Sequence, residues 1–230
     1  MGCLFSQFKK TSPLLTPLCI SNIMLVINKY HVRCLMQSKK INTTDRILQS
    51  ALELMQKKGF NLVTIKEIAD ASNVSEMTVF RHFETKKGVL ESAIKKNTVI
   101  PSFKKTFEEN IVWNLDQDLM LIAKLYLDLM ESNKSICLIA VQERFTMPEL
   151  VRLISDNTEQ LKIFITEYFK EMQAKKKMVE LDSYSQASTF LSMLFGFFIS
   201  AALWETEFIN LSKDQFITNS IHTFCNGIKK

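Results

Sequence analysis

The side chains best suited to chemistry crowd into one short stretch. Thr64-Ile65-Lys66-Glu67, Ser75-Glu76-Met77-Thr78 and Phe80-Arg81-His82-Phe83 follow one another, and Lys86 closes the run. Hydroxyls, carboxylates, a guanidinium, an imidazole and an ammonium in that order suit hydrogen bonding to base edges and phosphate oxygens. They do not form a bond-breaking set. The three histidines (His31, His82, His222) stand beside no Ser or Cys nucleophile pattern, and the chain has no Gly-rich phosphate loop. Acidic pairs such as Glu108-Glu109 read as solvated helix faces. Five scattered cysteines (Cys3, Cys19, Cys34, Cys137, Cys225) without a C-x-x-C pair argue against a disulfide framework and a zinc site, and fit a reducing cytoplasm. The expectation is a non-enzyme with no metal and no cofactor.

Helices must position these groups, because 5 Gly and 4 Pro in 230 residues leave little room for the turns of a β protein. Ile47, Leu48, Ala51, Leu52 and Met55 share one face of a helix that Thr43 or Thr44 caps and Gly59 ends. Thr64 and Glu67 form a capping box, so a second helix begins at Ile65 and stops at Ser72-Asn73. Ser75 caps a third, Glu76–Phe83, and Lys86 opens a fourth. Two short helices joined by a tight turn form a helix-turn-helix. Ala69 supplies the small side chain at their crossing, Asn73 tolerates positive φ in the turn, and Val74 and Val79 fill the wedge. Singly, His82 reads as a partly buried helix residue and Arg81 as a solvated charge. As a set on one capped helix, they read as a DNA-contacting surface.

Thr64–Leu90, preceded by the helix Arg46–Phe60, resembles the TetR/AcrR family of bacterial transcription regulators, and the segment Phe80-Arg81-His82-Phe83 and Lys86 carry much of the likeness. The resemblance implies an all-α fold: a three-helix helix-turn-helix domain, then a helical-bundle domain for dimerisation and ligand binding. It implies a homodimer on a palindromic operator in double-stranded DNA, released by a small molecule. By position, Ser75, Glu76, Met77, Thr78 and Arg81 would face the major groove or its walls, and Thr64, Phe80, His82 and Lys86 would seat the headpiece on phosphates. Two positions depart from the family. Phe80 stands where Tyr is usual and lacks the hydroxyl for a phosphate. Glu76 is acidic near phosphate, a cost unless it accepts from a cytosine amino group.

The charge is divided. Residues 1–35 carry +4, residues 36–105 carry +6 and residues 106–230 carry −5, and the basic block is the natural partner for phosphate. Residues 1–35 read as an atypical extension, with Met36 the expected true start. A genuine disordered extension is the alternative; the run Pro13–Ile27 is short and broken by Pro17, so a membrane anchor ranks third, and the Met1-Gly2-x-x-x-Ser6 acylation pattern is a match short enough to arise by chance. Residues 36–90 are expected to form the DNA-binding domain and 91–230 the sensing and dimerisation domain, with helices near 102–110, 116–132, 135–145, 148–176, 183–206 and 213–228. Ser183–Trp204 is long enough to span a membrane but is read as an interface helix, so no stable membrane association is expected. It and the last helix are expected to pair across a two-fold axis. Met120, Phe145, Met147, Phe164, Phe169, Met172, Phe190, Met193 and Trp204 are pocket candidates, although Met and Phe at helical spacing are more often core. Apolar walls would favour a hydrophobic or amphipathic effector. The rival readings are an effector-independent DNA-binding protein with a structural or global role, and a regulator anchored to the membrane by its N-terminal segment.

Overall fold

The computed structural model describes residues 42–96, 100–204 and 210–228. Residues 1–35 and Met36 lie outside the described residues. Ten helices are found among those described, all within one compact unit, Thr43–Lys230: α1 (Thr43–Lys58), α2 (Ile65–Ala71), α3 (Glu76–Phe83), α4 (Lys86–Lys96), α5 (Ile100–Asn110), α6 (Leu115–Ser132), α7 (Lys134–Gln142), α8 (Pro148–Ala174), α9 (Ser183–Trp204) and α10 (Lys213–Ile228). The chain is all-α.

Local chemistry starts and stops these helices. Thr64 Oγ1 accepts from the Glu67 amide at 3.2 Å while the Glu67 carboxylate accepts from the Thr64 amide at 2.8 Å, so the capping box is closed. The Ser75 hydroxyl accepts from the Thr78 amide at 3.2 Å. Caps of this kind contribute about 1 kcal/mol each. Gly59 ends α1 at φ +83 and donates to Met55 at 2.8 Å. Asn73 holds the turn between α2 and α3 at φ +51, the conformation that its side chain best tolerates after glycine. α7 stops at Gln142, short of the expected residue 145, because Thr146 and Met147 donate back to the Glu143 carbonyl and form a turn.

Two apolar clusters form the interior. One joins Ile47, Leu48, Ala51, Met55, Ile68, Ala69, Val79, Val89 and Leu90 of the first four helices to Ile136, Ile139 and Ala140 of α7 and to Met147 and Leu150. The other packs α6, α8, α9 and α10 around Phe169, Phe190, Leu119, Ile122 and Ile165. The headpiece therefore completes its core with a helix from the C-terminal half, and the boundary expected after residue 90 falls inside α4. α9 is long and apolar enough to cross a membrane by length and composition. Here it packs against α8 and α6 and buries Ala187, Phe190, Leu191 and Leu194.

Candidate nucleic-acid interface

α3 has two unlike faces. Val79 is fully buried and Phe83 packs against the headpiece core, which fixes the inner side of the helix. Ser75, Glu76, Met77, Phe80, Arg81 and His82 are all exposed on the outer side, and Thr78 is half-buried, its hydroxyl 2.9 Å from that of Ser75. The two apolar side chains of this face are among the exposed ones, Met77 at 76 % and Phe80 at 56 %. Thr64 opens α2, exposed, with its hydroxyl engaged by the Glu67 carboxylate at 3.0 Å. That carboxylate is held down to about 2 by hydrogen bonds from Lys58 and Thr64, so the start of α2 keeps its cap through any physiological pH.

Lys86 is placed differently from the expectation. Its ammonium donates to the carbonyls of Phe60, Asn61 and Val63 at 2.7, 3.1 and 2.7 Å, and lies 4.5 Å from the centre of the Phe60 ring. An ammonium has three protons, and all three are engaged within the protein. Burial lowers its pKa from the ordinary value, while Glu143 and Glu67 act the other way. Lys86 therefore braces the loop between α1 and α2, and seats the headpiece by shaping it rather than by reaching outward.

Three residues of this region escaped the sequence reading. Gly88 has backbone so close to the end of α3 that a Cβ there would lie 2.2 Å from the Phe83 carbonyl oxygen. The approach follows from a γ-turn in which Glu84 takes φ +61 and the Thr85 amide donates to Phe83 at 2.6 Å. Thr85 then caps α4 by accepting from the Gly88 amide at 2.9 Å. Glu143 is the third. It is buried, accepts from the Phe60 amide at 3.1 Å and from Asn61 Nδ2 at 3.4 Å, and also holds the Thr146 hydroxyl. It ties the end of α7 to the loop that Lys86 braces. A glycine just after two lysines was a legible signal for Gly88. No sequence signal marks Glu143, whose partners in the α1–α2 loop lie more than eighty residues away.

A cavity of about 700 Å³ opens between the two apolar clusters. Tyr126, Cys137, Val141, Leu161, Leu191 and Phe195 give it mostly apolar walls. None of the nine pocket candidates lines it. Phe169, Met172 and Phe190 are fully buried core, and Phe145 and Trp204 stand at the surface, 83 % and 50 % exposed. Burial raises the Cys137 thiol to about 11, which keeps it protonated. The polar groups at the rim are partnered: Lys162 pairs with Glu159 at 2.7 Å, and Arg144 donates to the Val141 carbonyl at 2.8 Å. Among the described residues, no cluster of three His, Cys, Asp or Glu could hold a metal ion.

Residues 47–93 match the family model for bacterial regulatory proteins of the tetR family. The helix-turn-helix regulator YvkB of Bacillus subtilis is 29 % identical over 186 residues, which span 81 % of this chain and 97 % of that protein. IcaR of Staphylococcus aureus, a negative transcriptional regulator of a biofilm operon, is 31 % identical over 51 residues, 22 % of this chain and 27 % of its own length. A transcriptional regulator from Saccharomonospora viridis, solved with choline, shares the fold at a TM-score of 0.68 and 22 % identity, covering 81 % of this chain and 97 % of its own. These relatives are regulators of transcription and not enzymes. The capped helix-turn-helix and the outward-facing α3 lie inside the segment that matches the tetR family model, and the likeness to the transcriptional regulator YvkB extends over most of the rest of the chain.

Proposed function

We propose that the chain is a homodimeric repressor that binds a palindromic operator and leaves it when a small hydrophobic or amphipathic effector enters the cavity. The observation that carries this reading is a shared wall. Ile94, Ile136, Ala140 and Ile154 line the cavity and also belong to, or pack against, the headpiece core. A ligand seated between the clusters presses on the helix that completes the headpiece, and Glu143 at the end of that helix holds the α1–α2 loop.

The two α3 helices of a dimer must match one turn of DNA, roughly 34–36 Å. An effector that binds better to a dimer with another spacing lowers operator affinity by its differential affinity and no more. α9 leaves Tyr184, Phe195, Leu203 and Trp204 substantially exposed, an apolar face suited to a two-fold partner. The negative regulation named for IcaR and the choline bound by the S. viridis protein support repression and effector binding by likeness. Of the residues assigned to DNA, Ser75, Glu76, Met77, Thr78 and Arg81 take the base-facing role, and Thr64, Phe80 and His82 flank it. The site of action is the cytoplasm, where a bacterial operator lies.

The test uses the full chain and a duplex from immediately upstream of its own gene, titrated at several salt concentrations. Saturable binding that outcompetes random DNA and weakens steeply with salt is expected, with loss of affinity on adding an apolar ligand. Binding equal to that of random DNA refutes the operator, and operator binding indifferent to a broad panel of apolar ligands refutes the effector. Crosslinking the dimer at its operator-bound spacing should abolish the ligand response.

A further inference from the structure

We propose that α3 reads pyrimidine edges: Met77 packs on the 5-methyl group of a thymine, and Glu76 accepts from the 4-amino group of a cytosine in the same half-site. The proposal rests on the operator-binding reading above and specifies what that surface recognises.

The argument begins from what the forward end of α3 lacks. Purines are read in the major groove by bidentate donors, Arg or Lys on guanine and Asn or Gln on adenine. Ser75–Phe80 contains none of these, and Arg81 enters only in the last turn. The hydroxyls of Ser75 and Thr78 are bonded to each other at 2.9 Å, and Ser75 also accepts from the Thr78 amide; the one proton left to the pair suits any base edge and discriminates little. A carboxylate and a thioether remain. The Glu76 side chain has no ion pair or hydrogen bond among the described residues, and Met77 is 76 % exposed.

Each has one natural counterpart. An ionised carboxylate only accepts, and the amino donors of the major groove belong to cytosine and adenine. Adenine sets its N7 acceptor beside that donor and repels a carboxylate, whereas cytosine offers the donor alone. The thioether is apolar, and the apolar group displayed in the groove is the thymine methyl. Phe80, 56 % exposed one turn further along, extends the apolar strip toward the groove wall.

The test selects bound duplexes from a random pool with the full chain, and in parallel with Met77→Ala and Glu76→Gln. Both side chains are exposed, so neither substitution disturbs the core. Each thymine of the selected site is then replaced by uracil, which removes only the methyl group. One thymine in each half-site should lose about fourfold in affinity, the worth of one buried methyl, and Met77→Ala should be insensitive to that same replacement. Glu76→Gln should lose its preference for cytosine at one position. Selected sites whose thymines all tolerate uracil, or a loss that persists in Met77→Ala, overturn the methyl contact. An unchanged cytosine preference in Glu76→Gln overturns the carboxylate contact. A pool that shows no enrichment overturns the operator reading itself.

Discussion

The headpiece and the C-terminal half carry their working groups on opposite sides of their own cores. In the headpiece the core is behind α3, and Ser75, Glu76, Met77, Phe80, Arg81 and His82 face outward. The space that could receive a ligand instead opens between the headpiece core and the C-terminal core, with walls drawn from α4 and from α6 through α9. The difference also shows in two carboxylates. Glu67 is half-buried at the surface, hydrogen-bonded and shifted down to about 2. Asp118 is fully buried, accepts from the Val112 amide at 3.0 Å and the Tyr168 hydroxyl at 2.9 Å, and is shifted up because burial outweighs those bonds. A surface that reads DNA needs groups held by short-range caps, while a hollow domain needs its polar groups paired inside.

The contrast is broken most severely at Gly88. Gly88→Ala sets a Cβ against the Phe83 carbonyl, and backbone cannot swing aside. A loss of roughly 3 kcal/mol is expected, at the upper end of overpacking, with operator binding lost as well. Chemical denaturation of the variant checks it, and a melting profile equal to that of the parent would disprove the close approach.

Glu143→Ala tests whether the halves communicate. It leaves the Phe60 amide without its acceptor and should cost about 2 kcal/mol. Hydrogen exchange should quicken at Phe60 and Asn61 and weaken the ligand response, while Glu143→Gln, which keeps an accepting oxygen, should lie between. Equal exchange in all three proteins would remove Glu143 from the coupling.

Acid should separate the two regions. The folded-state pKa of Glu67 lies below its ordinary 4.5, so its contribution is present above about 4.5 and is lost as the pH falls toward about 2. The folded-state pKa of Asp118 lies above its ordinary 3.8, so its contribution is present in acid and is lost as the pH rises through that folded-state value. Acidification through this window should therefore loosen the first turn of α2 before α6, as residue-resolved exchange would reveal. Simultaneous loss would count against the assignment.

The mildest change is at Gly196, which lines the cavity and has nothing within 4 Å of an added Cβ. Gly196→Leu should fill part of the space and raise stability by up to about 1 kcal/mol through helix propensity. Operator affinity should stay as it was while the ligand response falls. A full response would mean that the effector sits elsewhere.

Legibility in the sequence follows the range of the interactions. The first three helices, the capping box at Thr64, the Ser75 cap and the positive φ of Asn73 were readable because each depends on residues within four positions. The later helices were readable to within a few residues from their apolar period. The pocket was not: the Met and Phe side chains singled out for it pack into the core or stand at the surface, and other residues of five helices line the cavity instead. Period tells which face of a helix is apolar, not which neighbour covers it.

By itself the sequence determined an all-helical chain with a helix-turn-helix near its basic end and the outward-facing residues of α3. Caps, turns and helical faces are set by covalent neighbours. Only the tertiary structure decided that α7 completes the headpiece core, that Lys86 turns inward to three carbonyls, that Glu143 bridges the two halves and that a cavity shares a wall with the DNA-binding domain. Those facts depend on contacts between residues far apart in the chain, and only packing brings such residues together.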